Sequence, residues 1–291
     1  MRVAVVSRDP GIREQAARAF DAAPISWSVT VHDGVPDDAD VVVVGSDVDG
    51  PPDAIVFDPA APHRVVRDIT ARAQHRGIVV TSPGGGTGVT TLAVHLASEL
   101  ARRGSVCLVD LDTKWGAAAR LGAPEDVKTW ADVDDSQESL LLSAIPCFGF
   151  RVLFAPRSGT PAEASRVVRR AAAVFDRVVV DAPSTDLLDA ALRSARIAVL
   201  VLAPTVPNAR RALAMIESHP TMRWAIVANR LGPGSESTLG ELQQLMGRSI
   251  AIELPCTPGL RDAEDYARLL GSRVSRWSRR VARLAIALEQ E

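Results

Sequence analysis

The run Ser82-Pro83-Gly84-Gly85-Gly86-Thr87-Gly88-Val89-Thr90-Thr91 has the composition of a phosphate-binding loop that lacks lysine. Glycines at this density let successive backbone N–H groups turn inward and wrap an anion at the positive end of a following helix. A Gly-x-x-x-x-Gly-Lys-Ser/Thr loop would have Gly where this chain has Pro83 and Lys where it has Val89. The nucleotide-binding candidates are therefore Gly84, Gly85, Gly86, Thr87, Gly88, Val89, Thr90 and Thr91, a cradle with hydroxyls but no lysine for the β and γ phosphates. Thr90 stands where a hydroxyl ligand to Mg2+ belongs, and Thr91 where a second phosphate contact belongs. A Gly-x-Gly-x-x-Gly dinucleotide pattern fits poorly, since from Gly84 it needs glycine at Val89.

Two acidic motifs follow. Val106-Cys107-Leu108-Val109-Asp110-Leu111-Asp112 puts carboxylates at i and i+2 where an apolar run ends. In a P-loop protein that end faces the γ phosphate, where one Asp can hold metal and another can orient water. Asp110 is the metal candidate and Asp112 the catalytic, water-positioning one; capping of the next helix would use the same residues. Val178-Val179-Val180-Asp181 has the form of a Walker B strand, whose carboxylate meets Mg2+ through water. The metal candidates are thus Thr90, Asp110 and Asp181. Asn229-Arg230 closes a later apolar run and adds two nucleotide-binding candidates. An Asn amide offers a donor and an acceptor to an adenine edge, and it equally forms turns.

These motifs need strands to carry them, and each sits at the end of an apolar run of strand length. Seven such runs, over 78–81, 106–110, 151–155, 177–181, 197–202, 224–228 and, more weakly, 249–252, alternate with helical patterns that include 161–174, 187–195, 207–218 and 236–246. This rhythm predicts an α/β fold with a doubly wound parallel sheet of P-loop type and ligands at the carboxyl ends of its strands. Upstream, strand-like runs over 3–7, 26–31, 41–45 and 54–58, with a helix over 11–20, predict a smaller parallel α/β domain. The expected organisation is a small domain over 1–62, a connecting helix over 63–76 and a P-loop domain over 77–291.

Composition narrows the function classes. The chain has 291 residues, 47% of them hydrophobic and 23% charged, which suits a globular protein of two domains. A net charge of −2 gives no general attraction to nucleic acid or anionic lipid. Cys107, Cys147 and Cys256 have no metal-ligand spacing and suit free thiols in a reducing cytoplasm. No secretory leader is visible, and no apolar run reaches the ~20 residues that span a bilayer. The expected location is cytoplasmic.

Together the motifs over 77–270 resemble the MinD/ParA superfamily of deviant Walker ATPases. There the loop reads Lys-Gly-Gly-x-Gly-Lys-Thr-Thr, the next strand ends Asp-x-Asp, Walker B ends in Asp, and an Asn-Arg pair follows a late strand. Within it, the chain is most similar to the CpaE/TadZ branch, which includes septum-site-determining-like proteins. Asp110-Leu111-Asp112-Thr113-Lys114-Trp115-Gly116 resembles that branch's Asp-Leu-Asp-x-x-x-Gly, and Phe150-Arg151-Val152-Leu153-Phe154-Ala155-Pro156 its Leu-x-Val-Leu-x-x-Pro segment. Residues 1–62 resemble its receiver-like domain. The resemblance implies ATP and Mg2+ as ligands, a homodimer, and protein partners in Flp/Tad-type pilus or secretion machinery or at the division septum.

The departures shape the expectation. Gly84 replaces the signature lysine, which in the superfamily reaches the partner's nucleotide, and Val89 replaces the Walker lysine. Each lost charged contact to a transferring phosphoryl group costs several kcal/mol of transition-state stabilisation. The expected function is a spatial regulator with weak or absent ATP hydrolysis. The alternative is an active Mg-ATP switch in which Arg120 or Arg230 replaces the lysines. Gly45-Ser46 stands where a receiver has its phosphoacceptor Asp, so no phosphorylation is expected there. DNA binding of the ParA kind needs a basic surface, which the net charge argues against.

Residues 272–290 carry Val274, Trp277, Val281, Leu284, Ala285 and Leu288 at helical spacing, with five arginines between them. Such a helix packs on the sheet with a solvated basic face, the favoured reading. It can also lie as a peripheral contact on an anionic membrane.

Overall fold

The computed structural model describes residues 2–290 apart from 24–26, 37–38, 40, 52–53, 75–76, 115, 135, 184–185, 233–234 and 271–274. The chain divides into two units, Met1–His75 and Arg76–Glu291.

The first unit contains β1 (Arg2–Val6), α1 (Pro10–Ala19), β2 (Ser28–His32), β3 (Val41–Val44), β4 (Ile55–Val56) and α2 (His63–Gln74). The strands are all parallel, in the order β2-β1-β3-β4. Val3, Val5 and Val43 share one buried face with Ala16 of α1, Phe57, and Val65 and Ile69 of α2. The helix expected to connect the domains is therefore a layer of the first unit: its apolar stripe closes that unit's core. Beyond β3, Asp47 is clamped by three donors. Ser7 Oγ reaches its Oδ1 at 2.8 Å, and the Arg8 and Asp9 amides reach its Oδ2 at 2.6 and 3.0 Å.

The second unit runs β5 (Gly77–Thr81), α3 (Val89–Leu100), β6 (Val106–Asp110), α4 (Gly116–Leu121), α5 (Gln137–Ser143), β7 (Ile145–Cys147), β8 (Phe150–Leu153), α6 (Pro161–Val174), β9 (Arg177–Asp181) and α7 (Leu188–Leu192). It continues with β10 (Ile197–Leu202), α8 (Val206–Ser218), β11 (Trp224–Leu231), α9 (Leu239–Met246), β12 (Ile252–Pro255), α10 (Pro258–Asp265) and α11 (Arg276–Gln290). The sheet order is β12-β11-β10-β5-β9-β6-β8-β7. Every pairing is parallel except that of β7 with β8.

Two strand expectations are corrected. The weak strand expected over 249–252 lies at 252–255, where Pro255 is tolerated because β12 is an edge strand. The β7–β8 hairpin was not expected. Its turn residues Phe148 and Gly149 both have positive φ, 46° and 90°, and Phe is a poor signal for that conformation.

Helix α3 is buried nearly all round because β9, β6 and β5 lie beneath it and α11 lies beside it. The α11 stripe of Trp277, Val281, Leu284, Ala285 and Leu288 is spent in that core. Glu289 near its end pairs with Arg103 and Arg177, each at 2.5 Å. The apolar face offered above as a peripheral membrane contact is thus covered by the fold itself; Val274 lies outside the described residues. Among the described residues no helix is long and apolar enough to cross a membrane.

Candidate functional site

The loop between β5 and α3 emerges at the carboxyl end of the sheet. Gly86 and Gly88 hold it with φ of 73° and 92°, values that side-chain-bearing residues resist. At Gly88 a Cβ would also lie 2.6 Å from Asn229 Nδ2. The loop from Gly84 to Thr91 lines a cavity of about 510 Å3 together with Asp112, Lys114, Arg230 and Glu264. Thr87 Oγ1 is buried there with no hydrogen-bond partner. An orphaned hydroxyl of this kind suits a site built for an anion.

Register puts Asp110 directly opposite Asp181 on the adjacent strands β6 and β9. Both are fully buried. Asp110 Oδ1 accepts from the Asp112 amide at 2.9 Å and Oδ2 from the Ala117 amide at 3.1 Å. The Thr90 hydroxyl is turned toward the Asp181 carboxylate, and neither carboxylate oxygen has a hydrogen bond of ordinary geometry. Burial, with a smaller push from the Asp112 charge, raises the Asp110 pKa to about 7. Burial and then the Asp110 charge hold Asp181 well above the usual carboxylate range. Two buried like charges cannot both ionise cheaply, so this pair calls for a cation. Mg2+ fits the donors present: Asp181, Asp110 and the Thr90 hydroxyl are all hard oxygens. No group of three or more His, Cys, Asp or Glu among the described residues can hold a metal alone. Water and phosphate oxygens would complete the shell, as Mg2+ prefers. Asp112 lines the cavity and accepts from the Lys114 amide at 3.0 Å. Gly116 lets α4 pass beside it, for a Cβ there would sit 2.7 Å from Asp112 Oδ2.

Asn229 comes to the loop in another role than the adenine reader expected. It is buried, and Nδ2 donates to Thr87 O at 2.7 Å. Its Oδ1 accepts from the Arg230 amide at 2.9 Å and from Trp277 Nε1 at 3.4 Å. Both ends of the amide are engaged in tying the loop to β11 and α11. Arg230 lies at a register shift beyond Ala228, with φ of 61°, and its side chain lines the cavity. A non-glycine residue in this conformation costs about 1 kcal/mol or more, which the surrounding structure must offset.

His95 extends the network. Its Nδ1 lies 2.8 Å from Thr91 O, and the Leu270 amide donates to its Nε2 at 3.1 Å. Since Nε2 must accept, Nδ1 carries the proton and the ring is neutral. Burial pushes its pKa down to about 4, against a small rise from the Thr91 bond. The unfolded chain therefore takes up this proton first, and stability is lost as pH falls from about 6.5 toward 4, by up to ~3 kcal/mol. Urea melts of the protein and of His95→Gln at pH 7 and pH 4.5 measure this. The unaltered protein is expected to lose its advantage over the variant at the lower pH. A gap that is constant with pH would contradict the assignment.

The two missing-lysine positions are filled differently. Val89 is 6% exposed and packs into the core around α3. Gly84 has Arg211 Nη1 and Asn208 Nδ2 of α8 each 3.5 Å from where its Cβ would be. Arg120, a candidate substitute, is buried against Glu264 and does not line the cavity; Arg230, the other, does. Trp115 lies outside the described residues. Glu264 is a cavity residue that no site motif pointed to, and Lys114, also in the lining, belongs to the Asp110–Gly116 motif.

A family model described as the CobQ/CobB/MinD/ParA nucleotide binding domain matches residues 78–276. The chain is similar in structure to a ParA family ATPase from Chlorobium tepidum TLS: 19% identity, TM-score 0.66, covering 73% of this chain and 99% of that one. It is similar to MinD in the MinC:MinD cell division complex of Aquifex aeolicus: 21% identity, TM-score 0.65, 74% of this chain and 96% of that one. It is also similar to the septum site-determining protein MinD with Mg-ADP from Pyrococcus horikoshii OT3: 19% identity, TM-score 0.64, 74% and 96% covered. At these identities the likeness is one of fold. No curated protein matches the chain.

Proposed function

Because this chain belongs to the CobQ/CobB/MinD/ParA nucleotide-binding family, we propose that it is a cytoplasmic spatial regulator that works by docking to partner proteins, with weak or absent ATP hydrolysis. The observation that carries this reading is the charge of the cavity. Lys114 and Arg230 are the cationic side chains that line it. Facing them are Asp112 and Glu264, with Asp110 and Asp181 buried at the adjoining strand ends. A triphosphate entering this surround meets a lining in which two carboxylates, Asp112 and Glu264, offset the two cations, and neither loop position 84 nor 89 supplies a lysine to transition-state charge. Mg2+ is needed to make such a cavity receptive. MinD in the Aquifex aeolicus structure is complexed with MinC, a precedent in this fold for action through a protein partner. The resemblance to CpaE/TadZ proteins favours Flp/Tad-type pilus or secretion machinery, or the septum, as the place of action. The first unit is read as receiver-like, its β2-β1-β3-β4 order being the start of a flavodoxin-type sheet. It is read as taking no phosphate. Gly45-Ser46 follows β3, and three donors already satisfy Asp47.

The second reading, an active Mg-ATP switch, is favoured by Arg230. A strained backbone at a cavity-lining arginine is what a functional constraint looks like. Equilibrium binding of ATP and ADP with and without Mg2+, beside a phosphate-release assay, separates the two. The expected result is weak, Mg2+-dependent binding with no turnover above background. Turnover that Asp112→Ala abolishes would establish the second reading instead.

A further inference from the structure

Glu264 stands outside every motif and inside the cavity. It lies near the end of α10 and accepts the hydroxyl proton of Thr91, 173 residues earlier in the chain. The same Oε1 faces Arg120 Nε at 3.5 Å. The Arg120 side chain is only 6% exposed, and its Nη2 donates to Arg268 O at 3.0 Å. A buried guanidinium without a counter-charge is strongly destabilising, so Arg120 holds Glu264 in place as its counter-charge. A hydroxyl has one proton to give. While Thr91 gives it to Glu264, no phosphate oxygen receives it, and the fixed carboxylate opposes the charge of a phosphate beside it.

We propose that Glu264 governs which ligand the phosphate loop accepts: it is a resident carboxylate that a nucleotide phosphate must displace from Thr91. The inference rests on reading the cavity as a nucleotide site. Displacement exchanges one anion for another at the Thr91 hydroxyl. Glu264 belongs to α10, which packs on α4. Ligand entry is therefore coupled to the position of α10.

Titration of the full chain with Mg-ATP tests this on the unaltered protein, on Glu264→Gln, and on Glu264→Gln combined with Arg120→Gln. The single substitution keeps the shape and an acceptor for Thr91 and removes the charge. Its affinity for Mg-ATP is expected to rise roughly tenfold or more. The double variant leaves no unpaired buried charge, so it carries the test if the single variant fails to fold; it too is expected to bind more tightly than the unaltered protein. Equal or weaker affinity in the folded variants overturns the proposal, as does binding by none of the three proteins. That last result leaves the reading of absent hydrolysis intact. Turnover by the unaltered protein overturns that reading and leaves the Glu264 comparison to be decided by affinity alone.

Discussion

Asp181→Asn is expected to stabilise this protein, and to do so more at pH 8 than at pH 5. Asp181 is fully buried, with only the Thr90 hydroxyl turned toward it, and lies directly across the strands from Asp110. The folded pKa of each carboxylate is raised, chiefly by burial. A raised folded pKa contributes stability that is complete below the unfolded value of about 4 and is lost as pH rises through the folded value. For Asp110 that loss runs from pH about 4 and is complete near pH 7. At pH 8 the unfolded chain gains by releasing a proton that burial holds on Asp181, and removing that carboxyl should return on the order of 2–4 kcal/mol. At pH 5 both groups are largely neutral, and an amide in place of a protonated carboxyl changes little. Urea denaturation of both proteins at the two pH values reads the difference directly. A variant equally destabilised at pH 5 and pH 8 would show that Asp181 is stabilised by its surroundings. Mg2+ is expected to narrow the gap at pH 8, because it relieves in the unaltered protein the repulsion that the variant has lost.

Trp277→Ala is expected to cost about 3–5 kcal/mol of stability. The indole has no solvent exposure and packs edge-on to His95 with ring centroids 4.8 Å apart. Its Nε1 meets Asn229 Oδ1, and Asn229 in turn holds Thr87 O. The substitution therefore opens a cavity beneath α11 and loosens the tie on the phosphate loop. Hydrogen exchange distinguishes this from a purely local effect: amides of residues 84–88 should lose protection together with those of α11. A loss below about 1.5 kcal/mol with the loop amides unchanged would mean that α11 is separable from the fold. Its apolar stripe would then be available to a membrane after all.

What the sequence determined by itself was local. Continuous apolar runs specify buried parallel strands because both faces must be apolar, and a carboxylate closing such a run puts the chemistry at the strand end. That is why β5, β6, β9 and β10, with Asp110 and Asp181 at the ends of β6 and β9, lie where the residue pattern placed them. Gly86 and Gly88 were legible as loop glycines because positive φ is a property of single residues. The absence of lysine at positions 84 and 89 was equally plain.

What only the tertiary structure decided depends on partners far along the chain. An amphipathic stripe is the same whether it faces lipid or protein, so the burial of Trp277 and Leu288 against α3 and β12 had to be seen. The connecting helix was likewise a stripe without an address until Val65 and Ile69 met Phe57 and Val3. Asn229 read as an adenine contact because an amide can donate and accept; the fold had already used both functions, on Thr87 and Trp277. Glu264 carried no local signal at all. Its meaning comes from Thr91 and Arg120, which reach it only through the packing of α10 on α4, and a hydrogen bond between residues so far apart in sequence leaves no periodicity to read.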